Sequence, residues 1–209
     1  MSIITRLASS LNRRDEGPNQ ELAQHIVQAN DRDSIKELLD GLNNKSKDIQ
    51  SDCIKVLYEI AEVRPELVAG YADKFIALLD SKNNRLQWGA MTALNAITSQ
   101  NPEAIYGSLA KIISAADKGS VITNDHCVGI LIKLAAHKEF QDDAFSLLLE
   151  RLVSSPVNQL PMYAEKALPV VNENNKAAFS KILASRLPDI EKDSKRVRVE
   201  KVLKKLQSK

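Results

Sequence analysis

Apolar residues return along this chain at a fixed interval. Leu57, Leu94, Leu131 and Leu168 stand 37 residues apart, and the same step joins Ile60, Ile97, Leu134 and Val171. Small residues keep the interval at Cys53, Ala90, Cys127 and Ala164. A further series runs in another phase through Leu38, Phe75, Ile112 and Leu149. Self-similarity at such a period marks stacked copies of one supersecondary unit, each burying its apolar face on its neighbours.

Inside a unit the period is helical. Ala90, Ala93, Leu94 and Ile97 fall at i, i+3, i+4 and i+7, one stripe on a first helix, A. A polar turn follows with Pro65 or Pro102, suited to a first helical turn where the missing N–H has no partner to lose. Phe75, Ile76 and Leu79, then Ile112, Ile113 and Ala116, stripe a second helix, B. Asn/Ser/Lys/Gly clusters at 43–46, 81–84 and 118–120 close the units. These signals predict A/B pairs at about 46–81, 83–118, 121–155 and 158–187. An earlier pair at about 19–43 keeps the B phase through Leu38, Leu39 and Leu42. The last B helix slips, with Phe179 and Leu183 three residues ahead of register. Val199, Val202, Leu203 and Leu206 predict a C-terminal capping helix over about 191–207, and Ile3, Ile4, Leu7 and Leu11 a short N-terminal one. The expected fold is all-α, a right-handed α-α superhelix of about five helix pairs with capping helices. Its expected divisions are an N-terminal arm at 1–18, the repeat array at 19–187 and a basic capping helix at 188–209.

The run Leu78-Leu79-Asp80-Ser81-Lys82-Asn83-Asn84-Arg85-Leu86-Gln87-Trp88-Gly89-Ala90, with Ala93-Leu94 after it, resembles the HEAT-repeat pattern. That pattern is Leu-Leu, Asp, acid-Val-Arg, then Ala and Ala-Leu. The resemblance covers about residues 31–187 and implies a HEAT-like solenoid, a non-enzymatic scaffold whose B helices line a concave groove. Gln50, Gln87, Asn124 and Pro161 stand where the family places an Arg, so its inter-repeat Asp–Arg ladder is not expected. The Trp-Leu-Gly-Tyr pattern of tetratricopeptide repeats is absent.

Composition sharpens this picture. Hydrophobic residues are 44% and aromatics only 4%, so the core must come from Leu, Ile, Val and Ala. The net charge of +2 gives no general drive toward nucleic acid or acidic membranes. It is unevenly spread: residues 189–209 hold eight Lys/Arg against four acids, leaving the rest at −2. No run of apolar residues is long enough to span a bilayer. The start carries Arg6, Arg13 and Arg14 with no acid through residue 14, a faint likeness to an organelle presequence, but a capping helix fits better. Cys53 and Cys127 occupy equivalent slots two repeats apart, which puts them about 20 Å from one another. A disulfide needs Cα atoms within about 7 Å, so free buried thiols in a reducing cytoplasm are expected.

No Gly-rich phosphate loop, nucleophile elbow or paired-Cys motif appears, and His25, His126 and His137 lack a further ligand to share a metal with. No catalysis, cofactor or metal is expected. Asp142 and Asp143 read as acids favouring a helix N-terminus. Trp88 lies about 160° from Ala90 around helix A, so it is expected outside with Thr92 and Asn95. With Tyr58, Met162 and Ile132 it would form an interrupted apolar ridge, a mark of a partner site. The B helices offer Asp33, Glu37 and Asp40 at one end of the groove, then Lys74, Lys111, Lys118 and Arg151. That polarity favours a protein ligand over a phosphate backbone, which wants continuous positive charge. The expected partner is therefore another protein. A nucleic acid ranks second, on an architectural likeness to alkylation-repair DNA glycosylases and on the basic tail; HEAT-like phycobilin lyases rank third. The oligomeric state stays open.

Overall fold

The computed structural model describes residues 2–207; Met1, Ser208 and the tail's Lys209 lie outside the described residues. All regular structure among them is helical. The α-helices are α1 (Gly17–Ala29), α2 (Arg32–Gly41), α3 (Lys47–Val63), α4 (Ala72–Leu78), α5 (Asn84–Ile97), α6 (Pro102–Gly107), α7 (Leu109–Lys118), α8 (Val121–Ala135), α9 (Gln141–Ser154), α10 (Leu160–Ala167), α11 (Lys176–Arg186) and α12 (Asp193–Gln207). α3, α5, α8 and α10 are the predicted A helices; α4, α7, α9 and α11 supply the B helices.

Local chemistry sets the boundaries. Asp31, Ser46 and Asn83 cap α2, α3 and α5 by accepting from Ser34 N, Ile49 N and Arg85 N. Proline opens α1, α6 and α10, where it costs no helical hydrogen bond. Asp142 and Asp143 do sit in the first turn of α9.

The chain divides into two compact units, Met1–Cys127 and Val128–Lys209. In the first, α3 packs against α1, α2 and α5, and α4 packs against α5 and α6. Cys53, Leu57, Ile60, Ala90, Leu94 and Ile97 are fully buried, as the interval requires. Two glycines permit close helix approach. A Cβ on Gly41 would stand 2.5 Å from Cys53 Sγ, and one on Gly89 would stand 2.7 Å from Ile54 Cγ1. The small-residue slot at Cys53 is therefore one side of a tight α2–α3 contact.

The N-terminal cap is shorter than its apolar spacing suggests. A single 3-10 turn, Ile3–Arg6, buries Ile3 and Leu7, but Leu11 is 49% exposed. Asn12 adopts a left-handed backbone (φ 55°), which ends any helical continuation that would turn Leu11 inward.

In the second unit α9 packs on α11, α10 on α12, and α11 on α12. Leu131, Leu134 and Ala164 are fully buried, and so are the slipped pair Phe179 and Leu183. Three expected core positions differ, one of them Leu203 on α12, which is half-buried. Leu149 is half-buried, while Leu148 and Leu152 face inward, a rotation of one position along α9. Leu168 is half-buried because α10 ends before it. Pro169 cannot donate to a continuing helix, so the chain tightens into the 3-10 turn Leu168–Val170. Arg186 replaces a missing cap on α9: Nη1 donates to the Leu152 carbonyl at 2.8 Å and Nη2 to that of Ser155 at 3.0 Å.

Candidate functional site

The A-helix face of the first unit brings several expected residues together. Trp88 is half-buried, its ring centroid 5.5 Å from that of Tyr58 and tilted by 50°. Tyr58 itself is only 6% exposed, so it is a packing residue rather than an open ridge. The absent side chain at Gly89 lets α3 and α5 approach until the Tyr58 ring is covered. Lys55 Nζ lies 4.8 Å above that ring. It also pairs with Glu16 at 2.7 Å and Glu59 at 2.6 Å. Burial opposes the Lys55 charge, but Glu16 and Glu59 outweigh it and its pKa rises.

Thr92 and Asn95 are not the open surface that helical phase suggests. Thr92 is buried and Asn95 half-buried, both beneath His126. The Thr92 hydroxyl donates to the Trp88 carbonyl at 2.9 Å and lies 3.0 Å from His126 Nε2. The Asn95 amide lies 3.1 Å from Nδ1. A ring protonated at Nε2 satisfies both contacts: it donates to Thr92 and accepts from Asn95. His126 thus serves as a structural bridge.

One helical turn before Trp88, at Arg85, the surface opens into a polar cleft of about 740 Å³. Asp48, Ser51, Asp52 and Lys55 line it from one face of α3, Arg85 from the turn preceding Trp88, and residues 13–16 from the far wall. Asp52 anchors that wall, accepting from Ser9 N at 2.7 Å and from the Asn19 amide at 2.8 Å. Met162, on α10, is half-buried.

The B-helix charges are less available than their sequence suggests. Glu37 accepts from the Ser2 hydroxyl and from Ile3 N, contacts that hold its carboxyl below the usual range and fasten the N-terminal turn. Asp33 pairs with Lys36 at 3.1 Å, and Lys111 with Asp80 at 2.6 Å. Asp40, Lys74 and Lys118 are exposed, and Arg151 is half-exposed.

The amides in the Arg slot have a role that sequence reasoning missed. Gln50, Gln87 and Asn124 donate to the carbonyls of Asn44, Leu79 and Ala116 at 2.7, 2.9 and 2.9 Å. Gln87 and Asn124 close the end of the preceding helix, Gln50 ties down the loop after α2, and Asn83 adds a link to Gln50 Oε1 at 3.3 Å. The one readable signal was three amides at the repeat interval. Among the described residues no group of three His, Cys, Asp or Glu side chains could hold a metal. Among the described residues no helix is long and apolar enough to cross a membrane.

No family model matches the chain, and no curated protein matches it. Solved structures do. An engineered protein, Northeast Structural Genomics Consortium target OR329, superposes with a TM-score of 0.66 at 19% identity, over 100% of this chain and 98% of that one. A designed armadillo repeat protein in complex with the peptide (KR)4 gives 0.67 at 17% identity, over 97% and 99%. A computationally designed armadillo repeat protein for modular peptide recognition gives 0.65 at 16%, over 88% and 85%. The chain therefore has an armadillo-like helical repeat fold.

Proposed function

We propose that the chain is a non-enzymatic scaffold that binds a segment of another protein along the outward face of its A helices. The binding surface is Trp88 with the nearby cleft lined by Ser51 and Arg85. The observation that supports this reading is the half-exposed Trp88, packed on Tyr58 one helical turn after Arg85, which lines a polar cleft. An aromatic anchor fixed by its own packing and bordered by polar groups has the form of a binding hot spot. Repeat arrays present extended surfaces because each unit adds a strip, and a designed protein of this fold holds a peptide. The B-helix groove is the weaker candidate, since Glu37 is committed to Ser2 and Ile3 within the chain.

The test is to pan a displayed peptide library against the intact protein. Trp88 is the only tryptophan, so its fluorescence reports contact directly. Enriched peptides should shift that emission and lose about tenfold or more in affinity against Trp88→Ala and Arg85→Glu, while Lys74→Glu leaves them bound. Trp88→Ala should still fold. Peptides that bind both A-face variants unchanged, or a library that yields none, would rule the surface out.

A further inference from the structure

The cleft at Arg85 is rich in charge, and most of that charge is matched within the chain. Arg13 holds Asp15 through two hydrogen bonds, at 2.8 and 2.7 Å. Lys55 lies 2.7 Å from Glu16. Asp52 accepts from Ser9 N and from the Asn19 amide. The charged groups of the lining that remain are Arg14, Arg85 and Asp48, all exposed and none paired with a side chain among the described residues. Asp48 sits in the first turn of α3, where the helix dipole favours a carboxylate. Arg85 is placed the opposite way. It lies in the first turn of α5, at the positive end of the dipole, and no acidic residue accompanies it there. An anion brought to Arg85 would relieve that mismatch.

We infer that the cleft takes one carboxylate side chain of the partner segment, bound by Arg14 and Arg85, while an apolar residue of the same segment packs on Trp88; this rests on the Trp88 surface being the binding face. A guanidinium fork matches the two oxygens of a carboxylate, which can accept from both arginines at once. Arg85 and Trp88 stand three residues apart on one helix face, so the acidic and the apolar residue of the segment lie close together. The same cleft limits how much negative charge it accepts. Asp48 and Asp52 line it and repel a second anion, so a run of acids or a phosphate backbone fits less well than a single carboxylate.

The probes are fluorescein-labelled peptides enriched by panning on the intact protein. Each is also made with its acid neutralised (Glu→Gln or Asp→Asn) and with a second Glu beside it. Enriched peptides should carry an acidic residue near a large apolar one. In anisotropy titrations, neutralising that acid should weaken binding to the wild type about tenfold, and should change little against a variant carrying Arg14→Gln and Arg85→Gln. The added Glu should weaken binding to the wild type but not to Asp48→Asn. All three positions are exposed, and circular dichroism checks that each variant keeps the helical fold. Peptides that lose affinity against Trp88→Ala yet tolerate neutralisation of the acid would overturn the inference and leave the Trp88 surface standing. Peptides indifferent to Trp88→Ala, or a library that yields none, would remove both. Oligo-dT that binds more tightly than the peptides and needs the same two arginines would assign the cleft to phosphate instead.

Discussion

Cys53 fills a slot that a larger side chain could not enter, because α2 comes within contact at Gly41. Burial pushes its thiol up to about 12, with Asp52 and Glu37 adding to the effect. The same thiol in the unfolded chain ionises near about 8.5. A raised folded pKa contributes stability in full below the unfolded value, and loses it as pH climbs toward the folded one. The unfolding free energy from urea titration should therefore fall as pH rises from about 8.5 to about 10, by up to about 1.4 kcal/mol per pH unit for this group. Cys53→Ala should flatten that decline; an unchanged slope would mean the thiol does not stay neutral in the folded state. The small character of this slot was legible from the repeat interval. The covered Tyr58 was not. Helical phase fixes the direction of a side chain, whereas its exposure depends on how closely the next helix approaches, and that is set by Gly89 on a different element.

At the scale of elements, helix ends are closed by amides where the HEAT pattern has arginine. Gln87 reaches the Leu79 carbonyl at the end of α4, and Asn124 reaches that of Ala116 in α7. Gln87→Ala should cost about 1 kcal/mol. Hydrogen exchange should quicken in the last turn of α4, since the freed carbonyl loosens that end. Unaltered exchange there would show the contact to be incidental. Helix existence and phase were readable from the stripes, but two registers were not. Pro169 cuts α10 short at Leu168, and α9 turns inward at Leu148 rather than Leu149. The first follows locally from Pro169 and the second is an adjustment of packing within α9, and a strict interval encodes neither. The charge pattern of the B helices was likewise readable as composition only. Which carboxylates are occupied depends on contacts such as that of Glu37 with Ile3, across 34 residues of sequence.

For the whole molecule, the interval of 37 residues was sufficient to give the fold class, and the solved structures of the same fold agree with it. The proposed surface could be described only with coordinates, because clefts form between elements that are far apart in sequence. Residues 13–16 and Arg85 share one cleft. The central claim is that seam residues at this interval form a core in which each unit is stabilised by its neighbours. Native-state hydrogen exchange of Leu94→Ala tests it most directly. Leu94 is fully buried where α5 meets its neighbours, so its truncation should cost about 2–5 kcal/mol. Protection should then fall on α3 and α4 together with α5, which both pack against it. Protection lost on α5 alone, or on no helix, would contradict the account.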